Sequence, residues 1–247
     1  MPSLISILLR EQIRFVKPLV TNFSIATSRA FQEALGELGA TVVADKVMFH
    51  EFDIQKIPAA MAVPVALPEG DSRVVLYLHG GGYVAGSIKY ARGFAGVLAA
   101  KAAVRVLCIA YRLAPEHPYP AAVADAMSAY QYLLEQGYRS ENISLIGESA
   151  GGGLVFALCL ALKSHALPLP ALLIALSPWT DLTMKGTSFD INQKADVCLT
   201  AKEIESFAAA YASGYQEDCL VSPLFGDLTD LPPSYIYVGS DEILLDD

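Results

Sequence analysis

The fold of this chain is decided by one stretch, ISLIGESAGGGLVFALCLALKSH, which runs from residue 143 to residue 165. Its apolar start, residues 143–146, predicts a buried strand, and residues 151–165 predict a helix. Between them, two glycines flank Ser149 at the spacing of a nucleophile elbow, where a Cβ on either glycine would collide with the neighbouring strand and helix. The alternative interpretation gives Ser149 no catalytic role and takes the segment as a glycine-rich turn between a strand and a helix. Either interpretation predicts a strand–turn–helix unit.

The same alternation continues on both sides of this stretch. Short, nearly continuous apolar runs are typical of strands buried on both faces of a parallel sheet. Such runs occur at residues 73–78, 105–111, 171–176 and 235–238. Alanine-rich stretches of helical length lie at residues 90–103 and 121–136. The sequence therefore predicts an α/β protein with a mostly parallel central sheet flanked by helices.

Two more apolar runs precede this alternation. Residues 47–53 and 60–67 have the composition of strands, with Ile57 and Pro58 between them. We interpret them as a pair of strands near one edge of the sheet.

The whole chain, residues 1–247, is predicted to form a single domain. Residues 1–44 have a helical pattern, and residues 181–221 are mostly polar, so neither segment fits the strand–helix rhythm. We expect both to form a cap over one face of the sheet. The catalytic core then comprises residues 45–180 and 222–247.

The composition excludes several classes of protein. The 247 residues include 17 Lys and Arg against 26 Asp and Glu, a net charge of −9, so the basic clusters that bind nucleic acid are missing. A hydrophobic content of 53% predicts a large buried core. No apolar run reaches the roughly 20 residues of a membrane span, and no signal-peptide cleavage site is evident, which favours a cytoplasmic location without stable membrane insertion. Four scattered cysteines without a CxxC pair predict free thiols and no metal site.

A second glycine-rich segment, HGGGY at residues 79–83, follows the predicted strand at 73–78. Three consecutive glycines leave backbone N–H groups uncovered, and acyl transfer needs such donors for the oxyanion of its tetrahedral intermediate. The amide just after the nucleophile, that of Ala150, is the usual further donor. A glycine run after a strand is also able to hold a phosphate, but both GxGxxG and GxxxxGK[ST] are missing from the sequence. His79 is interpreted as a structural residue of the loop.

A group of acidic residues follows the last predicted strand. Asp241 lies just beyond that strand, at the carboxyl end where open α/β sheets form their sites. A carboxylate at this position is able to orient a histidine. Spacing alone does not distinguish Asp241 from Glu242, Asp246 or Asp247.

Four motifs taken together resemble the hormone-sensitive-lipase-like branch of the α/β-hydrolases. They are HGGGY at 79–83, YRLAPEHPYPAA at 111–122, GESAGGG at 147–153 and SPWTD at 177–181. The resemblance implies an α/β-hydrolase fold with a helical cap, and a serine carboxylesterase that hydrolyses short- to medium-chain acyl esters without a cofactor. It also implies that Ser149 is the nucleophile, that Gly81, Gly82 and Ala150 form the oxyanion hole, and that Asp241 is the acid.

The histidine of such a triad has no counterpart in the sequence. In this fold the histidine follows the acid along the chain. The four histidines are His50, His79, His117 and His165, and all of them precede the acidic group. We therefore expect a C-terminal strand and helix to be missing, the chain to be nearly inactive, and the strand at 235–238 to form an open apolar edge that lowers solubility. His117, in a proline-rich turn after a strand, is the best substitute base among the four.

Two functions from different classes remain open. A serine esterase acting on a small-molecule ester fits the elbow, the glycine loop and the acid; the same groups also cleave amides. A non-catalytic binder of a small ligand fits a scaffold without the histidine, as in the plant gibberellin receptor that this scaffold resembles. The intact Ser149 and HGGG favour the esterase, because a receptor needs neither. The sequence does not define the oligomeric state, and a homodimer is compatible with it.

Overall fold

The computed structural model describes residues 3–20 and 24–247 and confirms the predicted α/β architecture. One sheet holds seven strands in the order β1-β2-β4-β3-β5-β6-β7. The strands are β1 (Val47–Ile54), β2 (Ile57–Pro64), β3 (Val74–Leu78), β4 (Arg105–Ile109), β5 (Ile143–Glu148), β6 (Leu172–Leu176) and β7 (Ser234–Tyr237). The pairs β1–β2 and β2–β4 are antiparallel, whereas the other four pairs are parallel, so the sheet is mostly parallel as predicted.

Helices cover both faces of this sheet. They are α1 (Leu4–Val20), α2 (Ile25–Val42), α3 (Ile88–Ala102), α4 (Ala121–Glu135), α5 (Ala150–Ser164), α6 (Ser188–Ile191) and α7 (Ala201–Ala212). Helix α3 packs with Tyr77 and Ile146 on one face, whereas α4 and α5 pack with Leu76 and Leu145 on the other. Alternate residues of β3 and β5 therefore belong to two separate cores, as strands buried on both faces require. Within the described residues, no helix is both long and apolar enough to cross a membrane.

The N-terminal hairpin turns earlier than predicted. Strand β1 ends at Ile54 and β2 begins at Ile57, so the turn consists of Gln55 and Lys56. Ile57 and Pro58, predicted to separate the strands, pair within β2 instead. Both turn residues have positive φ, +50° and +74°, which is the geometry of a two-residue type I′ turn. The sequence lacks the Asn-Gly pair that usually signals this turn, and the prediction was wrong for that reason.

Strand β7 corrects a second prediction. Its apolar sequence predicted a strand buried on both faces, but all four of its residues are exposed. Tyr235, Ile236 and Tyr237 are 57%, 56% and 60% exposed, because among the described elements β6 alone packs extensively against β7 and no helix covers its faces. The expectation of an open apolar edge at this strand is confirmed.

We expect this edge to drive self-association of the chain. An apolar strand with unpaired backbone groups is a template for pairing with another copy. Replacing Ile236 with lysine should weaken self-association about tenfold, roughly the loss of one buried apolar contact. Sedimentation velocity over a concentration series measures this change. Val65→Lys, which replaces an apolar side chain that is 65% exposed outside β7, is the control; equal effects of both substitutions would contradict the prediction.

Helix α2 is fixed to α3 by a glycine contact. A Cβ at Gly36 would lie 2.3 Å from the carbonyl oxygen of Lys89, and a Cβ at Gly93 would lie 2.5 Å from the carbonyl oxygen of Gly36. Because real Cβ atoms do not approach so closely, the two helix backbones meet only where these glycines stand. Helix α2 thus packs tightly against α3, which covers one face of the sheet.

Candidate active site

Ser149 lies in a strained turn between β5 and α5. Its φ and ψ are +53° and −122°, a backbone conformation that L-residues rarely adopt. Three backbone hydrogen bonds hold it. The Ser149 amide donates to the Leu176 carbonyl over 2.9 Å, and the Ser149 carbonyl accepts from the amides of Gly153 over 3.1 Å and Trp179 over 2.9 Å. The strain is thus imposed by the neighbouring strand and by the loop that carries Trp179.

The glycines beside Ser149 are required by close backbone contacts. A Cβ at Gly147 would lie 2.2 Å from the Gly151 carbonyl oxygen, and a Cβ at Gly151 would lie 2.1 Å from the Leu78 carbonyl oxygen. The collisions predicted from the GxSxG spacing are therefore present, one within the turn and one against the end of β3.

The glycine loop after β3 lies against this turn. A Cβ at Gly80 would be 3.2 Å from the Cβ of Ser149. Gly81 and Gly82 have positive φ, +117° and +61°, and within the described chain their amides donate to no acceptor. The Ala150 amide opens helix α5, where the first amides have no partner inside the helix. Three backbone donors therefore lack an acceptor in the described chain, two in the loop just after Gly80 and one directly after Ser149.

His79 supports the glycine loop from inside the protein. Its ring is fully buried, stacks on Tyr111 at a centroid distance of 4.1 Å, and uses Nδ1 to donate to the Gly80 carbonyl over 2.7 Å. Burial lowers the pKa of His79 to about 4, so the ring is neutral near pH 7. The predicted structural role for His79 agrees with these contacts.

Helix α2 and the proline-rich turn hold the other side of the loop. Arg29 of α2 donates to the Val84 carbonyl over 2.8 Å and to both carboxylate oxygens of Glu116. Arg112 binds the buried Asp125 in the same corner through its backbone amide and its guanidinium. The sequence interpretation of Arg112 and Glu116 as parts of a structural corner fits this arrangement.

Glu148 occupies the position just before Ser149 and is partly buried. Its Oε1 accepts hydrogen bonds from the Tyr77 hydroxyl over 2.8 Å, from the Gly80 amide over 2.8 Å and from the Tyr90 hydroxyl over 3.2 Å. Its Oε2 is buried without a partner among the described residues. Burial raises the pKa of Glu148 to about 7, although the three donors oppose this shift.

Ser149 and Asp241 line the same cavity, which has a volume of about 510 Å³. Arg10 of α1, Leu176, Ser177 and the segment 195–199 contribute to its wall. The structure therefore brings the predicted nucleophile and the predicted acid to one pocket. Of the other three acidic candidates, only Glu242 reaches this cavity, while Asp246 binds Thr187 and Asp247 binds the Thr180 and Asp181 amides.

A family model described as the alpha/beta hydrolase fold matches residues 75–247. This chain is an α/β-hydrolase. An acetyl-hydrolase of Streptomyces hygroscopicus is 40% identical over 224 residues, which are 90% of this chain and 72% of that protein. An esterase of Acinetobacter venetianus is 39% identical over 178 residues, which are 71% of this chain and 59% of that protein. The matched region thus spans 59% to 72% of the length of these two relatives.

Solved structures agree with this assignment. An esterase described as a member of the bacterial hormone-sensitive lipase family superposes with a TM-score of 0.88 at 36% identity, over 100% of this chain and 82% of that one. EstE5, whose crystal was soaked with p-nitrophenyl butyrate, superposes with a TM-score of 0.89 at 36% identity, over 99% of this chain and 81% of that one. The α/β-hydrolase described here belongs to the hormone-sensitive-lipase-like branch, which confirms the resemblance drawn from its motifs.

The loop that carries Asp241 is supported by the segment between β6 and α7. The Asn192 amide nitrogen donates to the Ser240 carbonyl over 3.2 Å and to the Glu242 carbonyl over 2.8 Å, so it binds the residues on either side of Asp241. The buried carboxylate of Asp196 accepts from the Ile243 amide over 2.9 Å. The loop conformation of this α/β-hydrolase thus depends on side chains from a distant part of the sequence.

Replacing Asp196 with alanine should loosen the Asp241 loop. Its carboxylate accepts three backbone hydrogen bonds, from Cys198, Leu199 and Ile243, and its loss leaves buried amides unpaired. We expect stability to fall by about 2–3 kcal/mol. Hydrogen exchange of residues 239–245, followed by mass spectrometry, should accelerate. Asp190→Ala removes an exposed carboxylate nearby and should leave that exchange unchanged; unchanged exchange in the Asp196 variant would contradict the prediction.

Asp241 itself forms an ion pair with Arg10, with a distance of 2.5 Å between Oδ2 and Nη2. Lys17, on the same helix, donates from Nζ to the Asp196 carbonyl over 2.7 Å and to the Leu199 carbonyl over 2.6 Å. Helix α1 is therefore bound at two points to the walls of the cavity.

The histidines lie away from this cavity. No histidine of the described chain contributes to its lining. His117, the best substitute base by sequence, is exposed in the turn that follows β4. The described residues also contain no group of three His, Cys, Asp or Glu side chains suited to hold a metal ion.

Sequence reasoning did not find three residues of this site. Glu148 occupies the first variable position of the GxSxG pattern, so the pattern does not identify it as a residue of the site. Asp196 and Arg10 meet the acid loop only through contacts between elements far apart in sequence. Arg10 had one signal, a charged residue on the amphipathic first helix, and Asp196 had none.

Proposed function

We propose that this α/β-hydrolase is a serine carboxylesterase that hydrolyses short- to medium-chain acyl esters through an acyl-enzyme. The observation that carries the proposal is the position of Ser149, which shares one cavity with Asp241 and packs against Gly80, the first residue of a glycine loop whose next two amides have no acceptor. A strained serine, an acid and uncovered amides are the groups that acyl transfer requires.

In the proposed mechanism the Ser149 hydroxyl attacks the ester carbonyl. The amides of Gly81, Gly82 and Ala150 donate to the oxyanion that forms, and the tetrahedral intermediate collapses with loss of the alcohol. Water then attacks the acyl-enzyme and releases the carboxylic acid. A base must take the proton from Ser149, and in this fold it is a histidine oriented by the acid, here Asp241.

The base is the missing member of this constellation. The described chain has no histidine at the cavity, so we propose that these 247 residues hold two members of the triad and hydrolyse esters slowly. Rates several orders of magnitude below those of a complete triad are expected, because the residual rate then comes from binding and the oxyanion hole.

The substrate class is proposed from the cavity and from the relatives. The cavity of about 510 Å³ is suited to a small ester, and the similar proteins include an acetyl-hydrolase and an ethyl acetate hydrolase of Pseudomonas putida.

We also propose that residues 1–44 and 181–221 form the cap. Arg10 and the segment 195–199 support this, because they belong to these two segments and line the cavity.

The test is hydrolysis of p-nitrophenyl acetate, butyrate and decanoate, with labelling by a fluorophosphonate read by mass spectrometry. An esterase should favour the two shorter esters and carry the label on the peptide that contains Ser149. A second candidate, a non-catalytic binder, is favoured by the cavity without a histidine. Binding of a short-chain ester in calorimetry, without turnover and without label, would favour that candidate.

A further inference from the structure

We propose that Glu148 is a positioning residue that fixes the glycine loop relative to Ser149 through the amide of Gly80. This inference rests on the proposed function, because the loop amides matter only if they stabilise an oxyanion. Glu148 is bonded covalently to Ser149, and its carboxylate binds the first glycine of the loop. One side chain therefore links the nucleophile to the donors that must face it.

The geometry around Oε1 supports this role. The Gly80 amide, the Tyr77 hydroxyl and the Tyr90 hydroxyl all donate to this one oxygen. Tyr77 belongs to β3 and Tyr90 belongs to α3, so the carboxylate is held from two elements of the core. The loop is then attached to a fixed point and not to a freely rotating side chain.

The backbone of the glycine loop is in close contact with the turn that carries Ser149. A Cβ at Gly80 would lie 2.9 Å from the Glu148 carbonyl oxygen as well as 3.2 Å from the Ser149 Cβ. Because the backbones touch, a change in the hydrogen bond between Glu148 and Gly80 must shift the amides of Gly81 and Gly82 relative to Ser149. Oxyanion donors act over hydrogen-bond distances, so such a shift changes their contribution to the transition state.

The unpartnered Oε2 makes this link sensitive to protonation. Glu148 lies between the cavity of Ser149 and a second cavity of about 330 Å³, and it lines both. On the second side, Tyr90 is the other titratable group among the lining residues. On the side of Ser149, the charged residues are Arg10, Asp196, Asp241 and Glu242, with Cys198 as a further titratable group. From the loop itself, His79 faces Tyr90 edge-on.

Ionisation of Glu148 is expected to tighten the loop. A carboxylate oxygen is a stronger acceptor than the carbonyl oxygen of the neutral acid, so the bond from Gly80 shortens when the proton leaves. Since burial raises the pKa of Glu148 to about 7, the change falls near neutral pH. The turnover number is then expected to rise with pH through this range, with little change in KM.

A nuclear magnetic resonance titration tests the link without requiring turnover. His79 and Gly80 form the only His-Gly pair in the sequence, so labelling the histidine carbonyl carbon and the glycine amide nitrogen selects one signal, that of the Gly80 amide. Across the range from about pH 5 to about pH 9, this signal should shift with a midpoint near the Glu148 pKa. It should not shift in Glu148→Gln, which keeps the side-chain shape but does not titrate. Tyr90→Phe removes one donor and should move the midpoint upward.

Two results would overturn the proposal. One is a Gly80 signal that does not respond to pH in the wild type, and the other is the same response in Glu148→Gln. Glu141→Gln, an exposed carboxylate paired with Arg139, is the control and should titrate like the wild type.

A kinetic measurement separates this inference from the proposed function. With p-nitrophenyl acetate, Glu148→Ala should lower the turnover number by about 10²-fold with KM within about twofold, and Glu148→Gln should lose the rise near neutral pH. Absence of both hydrolysis and the Ser149 label in the wild type would overturn the proposed function, while the Gly80 titration would still decide the link. Normal hydrolysis and an unchanged pH profile in Glu148→Gln would overturn this inference alone.

Discussion

Ser149→Ala is expected to abolish the fluorophosphonate label, read by mass spectrometry, whereas the slow ester hydrolysis should fall by less than about tenfold, because without the histidine the residual rate comes from binding and the oxyanion hole. The substitution removes the only atom that forms the acyl bond, the hydroxyl Oγ. The side chain caps no amide of α5, so its removal should leave the melting temperature within a few degrees of the wild type. Initial rates with p-nitrophenyl acetate and calorimetric melting measure the two effects.

Ser177→Ala provides the matched control. Ser177 lines the same cavity and also has a positive φ, +46°, but it lies after β6 and outside the elbow. It should keep both the rate and the fluorophosphonate label. A Ser149 variant that still takes the label would show that another residue is the nucleophile.

Gly151→Ala is expected to have the largest effect on stability. Alanine normally stabilises the interior of a helix by about 1 kcal/mol relative to glycine, so helix propensity predicts a gain. The structure predicts the opposite, because the new Cβ would lie 2.1 Å from the Leu78 carbonyl oxygen and 2.5 Å from the His79 carbonyl oxygen. Helix α5 would have to move away from the end of β3. We expect a loss of more than about 3 kcal/mol, or failure to fold, because backbone atoms cannot yield as a side chain would.

Urea unfolding compares this variant with Gly137→Ala. A Cβ at Gly137 meets nothing within 4 Å, and its only cost is the positive φ of +87°. That cost is about 1 kcal/mol. The two substitutions make the same chemical change, so their difference measures the contact at position 151. Equal midpoints would mean that α5 and β3 tolerate an added methyl group, and the account of the elbow would be wrong.

The parts of the candidate site whose local structure was predicted correctly have local sequence signals. The elbow could be predicted because strand, turn and helix follow one another within residues 143–165, and the glycine spacing reflects contacts inside that unit. The glycine loop follows β3 directly and has an equally local pattern. Placing the two loops side by side needed only the rule that parallel strands end at the same edge of the sheet.

The predictions that failed depended on neighbours far away in sequence or on turn chemistry. The exposure of β7 depends on what packs beside it, and its apolar composition carries no such information. The turn at Gln55 and Lys56 uses two residues with positive φ that are not the usual ones. Among the acidic candidates the structure retains Asp241 and Glu242 at the cavity, and the preference for Asp241 still rests on the family pattern.

The hydrogen bonds that join Asn192 and Asp196 to the loop of Asp241 have a consequence for changing the substrate range of this α/β-hydrolase. The segment 195–199 lines the cavity, while its neighbour Asn192 holds the backbone on both sides of Asp241. A substitution in this segment that changes the shape of the pocket therefore also changes the position of Asp241. Exchanging residues 192–199 with those of a relative would change the shape of the pocket and the position of Asp241 together. Retaining Asn192 and Asp196 within the exchanged residues should change the pocket and keep the position of Asp241.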